Sequence, residues 1–129
     1  MPELPEVETI RARIAPGLVG RTFERVEIVD GRLTRPELPE AVAFELEGER
    51  VADVRRRGKY LIVAFESGRH LLIHLRMTGT LQYPVEEGAD PYRRATVTLD
   101  DGSDLAYRDV RRFGTWTLLE AGELERLAA

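Results

Sequence analysis

From Thr22 onward the chain is built of short runs in which apolar and polar residues alternate, each closed by a turn signal, and this repetition constrains the fold more than any other feature. Phe23, Val26 and Ile28 mark a strand ending at Asp30-Gly31. Arg50 to Arg57, Tyr60 to Phe65 and His70 to Leu75 follow, the last two joined by a Glu66-Ser67-Gly68 turn. Leu81 to Tyr83, Ala95 to Leu99, Leu105 to Arg108 and Thr115 to Leu119 complete the series, with Asp101-Gly102 as a further hairpin signal. Such runs must bury their apolar faces against one another. They predict an α+β, mainly β fold: an antiparallel β-sandwich or flattened barrel with an N-terminal helix packed against it.

That helix is expected over Pro5 to Ile14, where Val7, Ile10 and Ile14 recur at helical spacing. Pro5 suits a first turn, where a missing N–H costs nothing, and Pro16, Gly17 and Gly20 punctuate the exit. Glu3, Glu6 and Glu8 sit where the helix dipole favours negative charge. A second helix is expected at Leu38 to Glu47. Glu120 to Ala129 starts a third whose apolar side has nothing to pack on, as at a cut made in a linker.

A length of 129 residues with 43% apolar content suits one domain, residues 1–129. The absence of cysteine excludes disulfides and cysteine-based zinc sites, and two histidines alone make a poor metal site, so no cofactor is expected in this chain. No apolar run approaches the roughly 18 residues of a membrane span, and no basic segment leads into an apolar one at the start. A soluble, cytoplasmic monomer without a membrane partner is expected.

The net charge of −4 counts against a nucleic-acid partner, whose phosphates call for positive charge, unless the charges are segregated. They are. All but one of the 19 basic residues are arginine, Lys59 being the exception, and they cluster at Arg55 to Arg57, Arg93-Arg94 and Arg108 to Arg112. Glu37 to Glu49 and Glu120 to Glu125 are predominantly acidic, which leaves room for one basic face. An arginine-rich genome would produce the same shortage of lysine.

The opening Met1-Pro2-Glu3-Leu4-Pro5-Glu6 carries chemistry by its position. Removal of the initiator methionine before a small residue would leave Pro2 with a free secondary amine. An α-amino group titrates near 7.7–8.0, so a usable fraction is neutral and nucleophilic at physiological pH. Attack on a sugar C1′ expels a base, gives an iminium directly, and acidifies the C2′ proton. Glu3 is placed to shuttle protons for sugar-ring opening. The same pentapeptide recurs at Pro36-Glu37-Leu38-Pro39-Glu40, where the proline nitrogen is an amide and the segment is a helix-entry signal only.

Pro2 to Thr9 resembles the N-terminal signature of the formamidopyrimidine-DNA glycosylases. So do Leu18-Val19-Gly20, Gly31-Arg32-Leu33, Arg56 to Leu61, His74 to Gly79 and Arg111-Arg112-Phe113-Gly114, in family order along the whole chain. The resemblance implies bacterial base-excision repair in the cytoplasm at the nucleoid: cleavage of oxidised purines (8-oxoguanine, formamidopyrimidines) from double-stranded DNA, then β,δ-elimination at the abasic site. It implies Pro2 as Schiff-base nucleophile, Glu3 as general acid/base, Glu6 as a supporting carboxylate and Lys59 as an anchor for phosphate or the damaged nucleotide. His74 would contact phosphate. Met77, Arg111 and Phe113 would fill the gap left by the flipped nucleotide, beside Arg112 on the DNA-binding surface. Without the resemblance, His74 reads as a satisfied core histidine, Met77 and Phe113 as core, and Arg111 and Arg112 as surface charge. Val110 departs from the proline common in the family. The family's helix–two-turn–helix segment and zinc finger would lie beyond Ala129, leaving the isolated domain incomplete. A second reading keeps the fold as a non-catalytic module that binds damaged DNA.

Overall fold

The computed structural model describes residues 4–85 and 88–127. Within them the alternating runs form two four-stranded antiparallel sheets. One sheet has the order β1 (Phe23–Ile28), β6 (Arg93–Leu99), β7 (Asp104–Asp109), β5 (Gly79–Gln82); the other runs β2 (Val51–Arg57), β3 (Tyr60–Phe65), β4 (His70–His74), β8 (Thr115–Leu119). The inward positions alternate as the period-two pattern requires: Ala95, Val97 and Leu99 on β6, Leu105 and Tyr107 on β7, Leu71 and Ile73 on β4. With Trp116 of β8 they form one core. At one corner the sheets join: Thr22 pairs with Arg50, and Phe23 donates to the Glu49 carbonyl while accepting from the Gly48 N–H. The sandwich is thus flattened and partly closed, as expected.

Helix α1 (Leu4–Leu18) runs past the exit expected at Ile14 and takes Pro16 inside it. The apolar stripe explains this. Val7, Ile10 and Ile14 are continued by Leu18, all buried in the core, so packing of the last turn outweighs the N–H that Pro16 lacks. Val19 N–H closes that turn on the Ala15 carbonyl, and Gly20 follows at φ +85°. The helix lies against β2 and β5, the edge strands of the two sheets. Arg11 donates to the Val54 carbonyl at 3.3 Å and Arg13 to the Leu81 carbonyl at 3.0 Å, which occupies exposed edge groups.

Helix α2 (Pro39–Leu46) covers β1 with Val42 and Leu46 buried. Helix α3 (Glu123–Leu127) differs from expectation: its apolar side does find a partner, Leu124 being buried with Ile62 and Leu119 on the outer face of the second sheet. That contact also explains why β3 is buried on both faces. β5 begins two residues before Leu81 because Gly79 pairs with Asp109. No described helix is long and apolar enough to cross a membrane.

Candidate nucleic-acid interface

Pro2 and Glu3 lie outside the described residues, so their expected convergence with Glu6 and Lys59 is not seen directly. Glu6 is exposed in the first turn of α1. One turn on, Glu8 pairs with Arg11 at 2.6 Å and reaches Arg56 on β2 at 3.3 Å. Arg11 foremost, with help from Arg56, holds the Glu8 carboxyl below its ordinary range. Arg56 also donates to the Gly58 carbonyl at 3.1 Å. Arg57 pairs with Tyr60, so Gly58 and Lys59 form a two-residue hairpin tip, and Gly58 takes the left-handed φ of +59° that such a turn needs. The start of α1 and the half-buried Lys59 therefore border one region.

Tyr60 pairs across to His74, at the end of β4. His74 is only 7% exposed, with its ring edge-on to Tyr60 at 4.6 Å. Its Nδ1 accepts the Arg76 N–H at 3.0 Å, which leaves the proton of the neutral ring on Nε2, a donor. Burial, then the charges of Arg76 and Lys59, push its pKa below the ordinary value. His74 is thus a buried, oriented imidazole beside Lys59.

Beyond His74 the chain turns through Arg76 and Met77, and a second loop, Val110 to Phe113, comes to meet it. Arg111 donates to Met77 Sδ at 3.7 Å, and its guanidinium lies 5.1 Å from the centre of the Phe113 ring. Met77 is 46% exposed and Phe113 42%. Two large apolar side chains, with an arginine between them, therefore face solvent rather than the core. Each loop also holds an arginine at positive φ, Arg76 at 53° and Arg112 at 63°, conformations that β-carbon-bearing residues adopt only when their surroundings insist.

At Arg76 the N–H is held by His74; at Arg112 the insistence comes from Asp109, 1% exposed, whose importance the sequence reading missed. One carboxylate oxygen accepts from the Thr78 hydroxyl and from the Arg112 N–H; the other accepts from the Tyr107 hydroxyl at 3.0 Å and the Gly114 N–H at 2.8 Å. Thr78 Oγ1 in turn accepts the Arg111 N–H at 3.0 Å. One buried carboxylate thus ties both loops together. The available signal was register: Asp109 shares the inward parity of Leu105 and Tyr107, where an acid must be fully hydrogen-bonded.

Arg112 is placed apart from Arg111. Its guanidinium grips buried Asp30 through bonds of 2.7 and 2.8 Å, joining the turn after β1 to the second loop. Arg112 foremost, aided by the Arg32 N–H, holds the Asp30 carboxyl below its usual range. Gly79 and Gly114 flank the Tyr107 hydroxyl: a β-carbon would come within 2.6 Å of it at Gly79 and 1.7 Å at Gly114. Neither position admits another residue without displacing the tyrosine.

A run of contacts therefore leads from α1 through Arg56, Lys59, His74 and Met77 to Arg111 and Phe113. The family model described as formamidopyrimidine-DNA glycosylase N-terminal domain matches residues 1–116. The chain belongs to this family. Formamidopyrimidine-DNA glycosylases of Exiguobacterium sp. and Pseudomonas paraeruginosa are 41% and 45% identical over 120 and 122 residues, covering 92% of this chain and 43% and 44% of theirs. Among solved structures, Lactococcus lactis formamidopyrimidine-DNA glycosylase bound non-covalently to DNA containing an abasic site superposes with a TM-score of 0.88 at 31% identity, over 98% of this chain and 48% of that one. The wild-type Lactococcus lactis protein with DNA containing an oxidised pyrimidine matches with the same TM-score at 32% identity, over 98% and 47%. The chain spans less than half the length of these glycosylases.

Proposed function

We propose that the protein cleaves the N-glycosidic bond of oxidised purines, 8-oxoguanine and formamidopyrimidines among them, in duplex DNA and then breaks the strand by β,δ-elimination. The observation that carries this is the line of contacts from the first turns of α1 to the exposed Met77–Arg111–Phe113 cluster. It links Lys59 at a hairpin tip, His74 with its Nε2–H donor, and exposed Met77 and Phe113 with Arg111 between them. A nucleotide turned out of the duplex needs such a set: groups to hold its phosphates, and side chains to occupy the space it leaves.

With Met1 removed, the Pro2 nitrogen attacks C1′. The N–C1′ bond forms as the glycosidic bond breaks, the electron pair leaves on the base, and the base takes up a proton. Glu3 protonates the ring oxygen as the sugar opens to the iminium; loss of the C2′ proton then expels the 3′-phosphate, and a second elimination expels the 5′-phosphate. Glu6 supports the charge balance of this site, and Lys59 and the His74 Nε2–H hold the flanking phosphates. Met77 and Phe113 enter the stack, while Arg111 meets the base left without a partner. Arg112, committed to Asp30, holds the loop. The zinc that the family implies does not fit here: cysteine is absent and the two histidines stand at opposite ends of β4.

Borohydride trapping of Met1-free protein on duplex DNA with an abasic site tests the proposal. A covalent adduct should form, and Pro2→Glu should abolish it. The 129-residue chain should act slowly on intact 8-oxoguanine, because base flipping costs a few kcal/mol that further backbone contacts must offset. An adduct that survives Pro2→Glu would remove the assigned nucleophile. Lesion-selective binding with no adduct under any condition would favour the non-catalytic damaged-DNA-binding module.

A further inference from the structure

β1 is an edge strand whose outer side is covered by α2 instead of another strand. Its Val26 N–H is satisfied by a side chain, donating to Glu47 at 2.9 Å. Between strand and helix runs a groove of about 360 Å³ with Val26 and Ile28 on one side and Phe44 on the other. Every charged residue lining it is acidic: Glu27, Glu40 and Glu47. At its margins stand the most exposed large apolar side chains among the described residues, Phe44 at 76%, Leu38 at 69% and Val29 at 64%. None of the residues assigned to the DNA-facing side lines this groove. A Phe left three-quarters exposed on a well-packed helix contributes nothing to the core, and its carboxylate rim repels phosphate.

We propose that this groove is a docking site for an extended, basic segment of another protein, lying between β1 and α2 with one apolar side chain against Phe44 and its lysines or arginines facing Glu27, Glu40 and Glu47. An apolar wall supplies an anchor, and the uniform sign of the rim selects the charge of the partner. Acidic partners and nucleic acids are rejected by the same rim. The surface is separate from the nucleotide-facing loops, so partner and DNA occupy the protein together.

Titration of isotope-labelled 129-residue protein with a synthetic peptide alternating lysine with leucine and phenylalanine tests this, with amide shifts as the readout. Shifts are expected at residues 26–29 and 38–47, together with weaker binding at higher salt. Phe44→Ser, at an exposed position that should leave the melting temperature unchanged, should weaken binding by about tenfold or more. Paired Glu27→Gln and Glu40→Gln substitutions should weaken it and flatten the salt dependence. Equal binding of an all-lysine peptide of the same charge, shifts centred on residues 74–79 and 109–114, or displacement of the peptide by duplex DNA would each overturn the proposal. So would groove shifts that appear on concentrating the protein without peptide, since a second copy would then be the occupant.

Discussion

The carboxylate of Asp109 shows how one side chain fixes a surface it never reaches. Its donors come from two loops and from β7, so the loop that presents Arg111 is anchored in the core. Asp109→Asn replaces an acceptor oxygen by an NH₂ group facing existing donors and should lower the unfolding free energy by about 2–4 kcal/mol, read from urea denaturation. Thr78→Val, which removes one bridge, should cost about 1 kcal/mol and weaken binding to abasic duplex more than its stability loss alone explains. His74 contributes a pH dependence. Its folded pKa lies below the unfolded value near 6.5, so the unfolded chain binds the proton more readily; the stability this provides is complete above about pH 6.5 and is lost as pH falls through the folded pKa. Thermal unfolding followed from pH 8 to 5 should show that loss in the native protein and a shallower slope in His74→Asn. Asp30, held low by Arg112, adds its own loss only in more acid solution, below about pH 4. Neither effect was legible in the sequence: burial dominates at His74, and Asp30 and Arg112 are 82 residues apart.

At the level of elements, the first helix does two jobs with two faces. Val7, Ile10, Ile14 and Leu18 fill the core, while Arg11 and Arg13 take carbonyls from the edge strands of both sheets. Ile14→Ala should therefore cost about 3 kcal/mol, since the buried site cannot collapse around the missing methyl groups. A loss in unfolding free energy, read from chemical denaturation, of less than a third of that would mean the helix is dispensable to the core. Most strands were legible from alternation because they bury one face, β3 being a continuous apolar run buried on both, and the bounds move by no more than two residues. The end of α1 was misread because Pro16 and Gly17 are strong local stop signals; Leu18, buried in the core, shows tertiary packing overriding them. Likewise Met77 and Phe113 carry the composition of core residues, and only tertiary placement shows them in solvent.

For the whole molecule, a net charge of −4 conceals a division of labour. Carboxylates gather on α2 and β1, and the guanidinium of Arg111 stands over the exposed loops. DNA affinity should therefore fall steeply with salt despite the acidic total, with log K linear in log salt concentration, and replacing one phosphate-contacting residue should reduce that slope by about one. Lys59→Gln, measured by fluorescence anisotropy on an abasic duplex, should show this reduction, whereas Phe113→Ala should lower affinity and leave the slope in place. An unchanged slope for Lys59→Gln would take that residue off the phosphate path. The family signature made the general face of the protein readable; which arginine faces outward and which is clamped within was decided by contacts between distant segments.

The crowding of Gly114 against the Tyr107 hydroxyl makes two positions on separate segments change as a unit or not at all. Gly114→Ala alone drives its methyl group into the phenolic oxygen and should unfold or rearrange the loop. In a Tyr107→Phe background that collision is relieved, so the second substitution should cost far less than it does alone. A double-mutant cycle should return a coupling energy of about 1–3 kcal/mol. Variation at positions 107 and 114 is thus historically contingent: loss of the hydroxyl opens a route to a side chain at residue 114, and once that is taken the hydroxyl has no way back, while Gly79 stays closed by the Leu75 carbonyl, 2.6 Å from where its β-carbon would stand.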